Sequence, residues 1–141
     1  MENDLLRKAE DVAVAAHAGQ RDKTGHPFSD HLRRVAEKVG GREQKMVAYL
    51  HDIVEKADGW SLDRLSAEGF PQAVVEAVDA MTKREGEDYL DFVRRAIANP
   101  LARPVKRADL EDNLLQAELA GIDDGRYRHG LRLLEEPLGV K

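Results

Sequence analysis

The chain has 141 residues, 42% hydrophobic and 35% charged, with a net charge of −5 when its five histidines are neutral. This length suits one domain with a real core, spanning residues 1–141, and the balance is that of a globular chain rather than a disordered one. Acids and bases alternate instead of forming blocks, so a nucleic-acid partner held through its phosphates finds no basic stripe, and the lack of cysteine excludes disulfides, thiolate metal sites and a cysteine nucleophile.

The N-terminus, Met1-Glu2-Asn3-Asp4, is acidic and has no apolar leader segment, and no run reaches membrane-spanning length. A cytoplasmic setting with no membrane partner is therefore expected. Leu5, Ala9, Val12 and Ala16 follow the helical period behind an Asn3/Asp4 cap. Gly19 to Pro27 reads as a polar loop. Ser29 is then expected to cap a second helix with Leu32, Val35, Ala36 and Val39 on one face, ended by Gly40-Gly41.

A third helix is predicted from about Glu43 to Val54, with a turn at Gly59. Its apolar run Met46-Val47-Ala48-Tyr49-Leu50 leads directly into His51-Asp52. Two polar residues in a row on a core helix need a compensating partner, and a bound cation stabilises an imidazole and a carboxylate together. A partly exposed helix edge with a hydrogen-bonded His and a solvated Asp explains the dipeptide equally simply.

Ser61 to Ala67 reads as a short helix capped by Ser61, with Leu62 and Leu65 inward. Pro71 opens the next helix, which buries Val74, Val75, Val78 and Met81. Lys83 to Asp88 is a charged loop, followed by the stripe Tyr89, Phe92, Val93, Ala96 and Ile97. A further helix starts at Pro100 or Pro104 and carries Val105, Ala108, Leu110 and Leu114, with a break or a tight turn expected at Pro104 if it is continuous from Pro100. Gly121 to Lys141 holds one more, around Leu131, Leu133 and Leu134. Nothing alternates with the period of a strand. The expected fold is all-α, with about seven or eight helices.

Two other metal-competent residues adjoin helical apolar faces. His31 lies one residue before the second helix's stripe, and Asp109 sits one helical turn before Asn113. Two imidazoles with two carboxylates suit a borderline divalent ion better than Ca²⁺. By spacing alone, His31 also fits a helix-terminus contact, and Asp109 an ion pair with Lys106 or Arg107. His17, at the end of an apolar stripe, reads as an inward structural histidine. Trp60 and Phe70 read as packing.

Taken together, Ala16-His17-Ala18-Gly19-Gln20, Gly25-His26-Pro27-Phe28-Ser29-Asp30-His31, Leu50-His51-Asp52-Ile53-Val54-Glu55 and Val105-Lys106-Arg107-Ala108-Asp109-Leu110-Glu111-Asp112-Asn113 resemble the HD-domain metal-dependent phosphohydrolases. Within that family the chain is most similar to the hydrolase domain of RelA/SpoT-type guanosine tetraphosphate enzymes and their small stand-alone relatives. The match runs in order from about Ala9 to Asn113. The resemblance implies a helical HD bundle holding one divalent cation, usually Mn²⁺ in this branch, on His31, His51, Asp52 and Asp109. It also implies hydrolysis of a phosphate or pyrophosphate ester, with guanosine tetraphosphate of the stringent response as the family's nucleotide substrate. Asn113 and Lys23 correspond to substrate-binding positions.

Two positions depart from the family pattern. Glu55 stands where the first of two acids follows His-Asp, but Lys56 replaces the second. Asp22, beside Arg21, replaces the first of two basic residues that line the nucleotide pocket. On this reading Glu55 is the catalytic residue that orders or deprotonates water, and Lys23 and Lys56 neutralise phosphates. A nucleoside monophosphate phosphatase of the same fold and a catalytically weak metal- and nucleotide-binding sensor stay open as alternatives.

Overall fold

The computed structural model describes residues 2–136, with side chains from residue 4 onward. Nine helices occur among the described residues: α1 (Glu2–Ala16), α2 (Phe28–Glu37), α3 (Arg42–Leu50), α4 (Ile53–Lys56), α5 (Leu62–Ala67), α6 (Gln72–Ala80), α7 (Tyr89–Ala98), α8 (Ala102–Ala120) and α9 (Gly125–Leu134). The count exceeds the expected seven or eight because the helix expected over 43–54 is two, parted at His51-Asp52, and α4 is a single turn of 4 residues. The described residues form no strand; Arg21 and Pro27 make one isolated bridge. No described helix is long and apolar enough to cross a membrane.

The core forms where the apolar stripes converge. α3 packs against α1, α2, α6 and α8, and its Met46, Val47 and Leu50 join Val35, Val74, Val78 and Val105 in the largest buried cluster. Fully burying a side chain such as Leu50 contributes roughly 1.5–3 kcal/mol. A second cluster of Val93, Leu110, Tyr127 and Leu133 fastens α7 and α9 to the far end of α8. Trp60 packs at the edge of the first cluster, and Phe70 is buried within it.

Helix starts depart from the sequence reading in informative ways. Ser29 lies inside α2, whose cap position is Pro27 with no side-chain bond. The preceding loop does the work instead, since the Phe28 N–H donates to Gln20 O at 2.9 Å. Pro104 does not break α8. It occupies the first helical turn, where its missing N–H would have no intrahelical acceptor, and Asn99 Oδ1 takes the N–H groups of Leu101 and Ala102 at 2.9 Å each. Ser61 caps α5 as expected, accepting from Arg64 N at 3.0 Å. α1 begins at Glu2, so Asp4 is within the helix rather than at its cap, while the side chain of Asn3 lies outside the described residues. The expected C-terminal helix is α9; residues 137–141 also lie outside the described residues.

Candidate metal centre and its cleft

Three segments carry four donor side chains to a common point. His31 lies on the buried face of α2 with Phe28, Leu32 and Val35. His51 and Asp52 occupy the break between α3 and α4, where Asp52 takes φ −102° and ψ 0°. This bridge-region residue lets both side chains turn to the same side, which a continuous helix, advancing 100° per residue, would not allow. Asp109 comes from the middle of α8.

The geometry is tight. His31 Nε2 and His51 Nε2 each lie 3.1 Å from Asp109 Oδ1, and Asp52 Oδ2 lies 3.1 Å from His51 Nε2 and 3.8 Å from His31 Nε2. One donor atom from each of the four residues falls within 4.8 Å of all the others. An ion about 2.1 Å from each ligand requires separations of roughly 3.0 Å for neighbouring donors and 4.2 Å for opposed ones, so the set fits a six-coordinate divalent ion with positions left for solvent or substrate.

Both imidazoles are oriented to present Nε2. His51 Nδ1–H donates to Ala48 O at 2.7 Å, and His31 Nδ1–H donates to Asp112 Oδ2 at 2.6 Å. A carbonyl and a carboxylate can only accept, which places a hydrogen on each Nδ1 and turns both Nε2 atoms toward the carboxylates. Lone pairs so opposed repel unless protons or a cation lie between them. The charges follow: burial pushes the His51 imidazole down, but Asp52 and Asp109 outweigh it and raise its pKa to about 10. His31 is also raised, its burial outweighed by Asp109 and Asp112. Burial opposes charge on Asp52 and Asp109 as well, yet His51 holds Asp52, and Lys106 with His51 holds Asp109, below the usual carboxylate range.

This centre forms the floor of a cleft of about 210 Å³. Lys23, Lys56, Lys83, Lys106 and Arg126 give its walls five cations, and Tyr89, Phe92 and Tyr127 supply aromatic surface. Lys23 Nζ donates to Asn113 Oδ1 at 2.6 Å, and the Asn113 amide donates to Asp109 Oδ1 at 3.1 Å. Lys56 Nζ stands 4.8 Å from the centre of the Phe28 ring. Glu55 is exposed at the rim, its Oε1 3.4 Å from Lys83 N.

The structure thus gathers His31, His51, Asp52 and Asp109, and lines the cleft above them with Glu55, Lys56, Lys23 and Asn113. Arg21 and Asp22 are not part of the lining. Lys106 is buried rather than solvated, 3.2 Å from Asp109 Oδ2 and over the face of Phe92. His17 is inward, as its stripe implies, and bonded through Nδ1 to Gln20 at 2.7 Å, although its buried Nε2 has no hydrogen-bond partner among the described residues.

Sequence reasoning missed Asp112, Gln116 and Arg34 behind His31, and Lys83, Tyr89, Arg126 and Tyr127 in the cleft. The first group leaves a trace: Arg34 follows His31 by three positions and Asp112 follows Asp109 by three, each on its ligand's side of the helix. The second group comes from a loop and two helices with no shared spacing.

No family model matches the chain, and no curated protein sequence does. Among solved structures the chain is similar to one described as a metazoan ortholog of SpoT that hydrolyses ppGpp and plays a role in starvation responses. The two are 22% identical with a TM-score of 0.72, over 93% of this chain and 82% of that one. The likeness shows a shared fold, the all-helical bundle of HD type.

Proposed function

We propose that the chain is a divalent-metal-dependent phosphohydrolase acting on a nucleotide, with a phosphate or pyrophosphate ester as the bond cleaved. The observation that carries this reading is the convergence of two imidazole nitrogens and two carboxylate oxygens on one point beneath a cationic cleft. His31, His51, Asp52 and Asp109 would hold the ion, most simply Mn²⁺. Such an ion supplies an acidified water and neutralises charge on the phosphoryl group.

The chain's own residues do the rest. Glu55 at the rim accepts the proton of the attacking water. Lys23 and Lys56, with Lys83 and Arg126 beyond them, neutralise the phosphates that do not react. Asn113 fixes Lys23 by its 2.6 Å bond and orients the substrate above Asp109. Guanosine tetraphosphate is the substrate we favour, because the structural neighbour is described as hydrolysing ppGpp and because a nucleotide with two pyrophosphate groups matches a cleft carrying five cations.

The test is release of orthophosphate or pyrophosphate from guanosine tetraphosphate and a panel of nucleotides, with and without Mn²⁺, beside metal analysis of the purified protein. Mn²⁺-dependent release that disappears in His51→Ala is expected. A protein that neither takes up a divalent ion nor releases phosphate overturns the reading.

A second reading, a weak or inert sensor that binds metal and nucleotide, is favoured by one observation. Apart from the two ligand carboxylates, Glu55 is the one acid lining the cleft among the described residues, and Lys56 follows it. A large gain in turnover on Lys56→Asp supports the sensor, whereas a wild type already active eliminates it.

A further inference from the structure

The loop that carries Lys23 is fastened to the back of the metal centre by two hydrogen-bonded routes, and both end on Asp112. The first begins at Asp22. Its Oδ1 accepts from Thr24 N at 2.9 Å, Thr24 Oγ1 at 2.7 Å and His26 N at 3.1 Å, which shapes the loop. Its Oδ2 accepts from Arg34 Nη2 at 3.1 Å. The same guanidinium grips Asp112, through Nε to Oδ1 at 2.7 Å and Nη2 to Oδ2 at 3.1 Å, and Asp112 receives the His31 Nδ1–H. The second route runs from Lys23 N to Gln116 Oε1 at 3.0 Å, and from Gln116 Nε2 to Asp112 Oδ2 at 2.6 Å.

The acids and the imidazole of the route are shielded from water, whereas the Arg34 side chain between them is 36% exposed. The side chains of Asp22, Asp112 and His31 are exposed by 0%, 1% and 2%. Charge-assisted bonds in such surroundings hold their geometry, and the planar fork of arginine fixes the direction of each one. A carboxylate held this way sets the plane and basicity of the imidazole it supports, and loss of such an outer partner typically lowers metal affinity 10–100-fold. The hydrogen bonds of Asp22 go to Thr24, His26 and Arg34 rather than to any of the four donors.

We infer that Asp22 and Arg34 are positioning residues that couple the Lys23 loop to the metal centre, so that loop order and ion affinity rise and fall together. The inference rests on the metal reading above. It gives Asp22, an acid standing where the resemblance implies a base, a role of its own: it ties the loop down. Coupling of this kind is reciprocal by thermodynamic necessity, so an ion that favours the ordered His31–Asp112–Arg34 chain also holds Lys23 in place for the substrate's phosphates.

The experiment measures Mn²⁺ affinity by calorimetry in wild type, Asp22→Asn, Arg34→Gln and the double variant. It also measures hydrogen exchange of the amides of residues 22–26 in wild type with and without Mn²⁺. Each single variant is expected to bind Mn²⁺ about tenfold more weakly, with the double variant close to the worse single because both lie on one route. In wild type the loop amides are expected to exchange more slowly once Mn²⁺ is bound, a readout that requires neither turnover nor a folded variant. A wild type that binds Mn²⁺ while its loop exchanges unchanged, or folded variants with wild-type affinity, overturns the coupling alone. A wild type that binds no Mn²⁺ overturns the metal reading and the coupling with it.

Discussion

Asp112→Asn removes one charge from the outer support of His31 while keeping its shape. The carboxylate accepts from His31 Nδ1, Gln116 Nε2 and Arg34 Nη2 at Oδ2, and from Arg34 Nε at Oδ1. An asparagine that places its oxygen at the Oδ2 position keeps the first three and turns its NH₂ against Arg34 Nε. One charge-assisted bond worth about 1.5–3 kcal/mol is lost, and the donor left facing a donor adds to the penalty, so destabilisation of about 2–3 kcal/mol is expected. With an unfolding entropy of roughly 0.3 kcal/mol/K for a chain of 141 residues, Tm falls by about 7–10 °C in EDTA. The effect on the ion is separate: weaker orientation of His31 should lower Mn²⁺ affinity 10–100-fold, or about 1.4–2.7 kcal/mol. Thermal melts followed by circular dichroism in EDTA and in excess Mn²⁺, with calorimetric titration at 25 °C, separate the two terms. A folded Asp112→Asn protein that binds Mn²⁺ as tightly as wild type would refute the claim that this carboxylate orients the ligand.

Four further outcomes are expected. With the His51 imidazole raised to about 10, it holds a proton at neutral pH that an ion must displace; Mn²⁺ uptake should release at least one proton in calorimetry across buffers of different ionisation enthalpy, and uptake without proton release refutes the assignment. In EDTA the same raised histidine stabilises the fold fully below its unfolded value of about 6.5, and that contribution disappears as pH rises through about 10, so melts should show the loss on the alkaline side. Lys23→Ala should raise KM for a nucleotide substrate about tenfold with kcat less affected, because the lysine meets phosphates away from the bond that breaks. Gly130→Ala places a Cβ 3.1 Å from both methyl carbons of Leu110, which is fully buried; overpacking should exceed the helix-propensity gain and lower stability by about 1 kcal/mol, read as a Tm lower by about 3 °C.

The apolar stripes of α1, α2, α6 and α7 were legible because each helix buries one face and the period shows it. The division of the third helix at His51-Asp52 was not, since Met46 to Val54 keeps a helical pattern across it. Tertiary partners decide that break, with His51 Nε2 turned to Asp109 at 3.1 Å and Asp52 toward His31 at 3.8 Å. Ser29 and Pro104 misled for a related reason. Local rules ask which residue caps a helix, whereas here Gln20 and Asn99, outside the helices, satisfy the free N–H groups. Within the site, His31, His51, Asp52 and Asp109 are marked by chemistry and order along the chain. Arg126 and Tyr127 carry no such mark, because their place in the cleft depends on how α9 folds back on α8.

α8 sets Lys106, Asp109, Asp112, Asn113 and Gln116 on one unbroken rod. Inserting a single residue between Lys106 and Gln116 would swing everything beyond it by about 100° and pull the support away from His31. The walls contributed by the loop before α7 and by α9 have no such rigid register. Selectivity among substrates can therefore drift by exchange of wall residues such as Lys83 or Tyr127, while the phasing of this one helix stays locked.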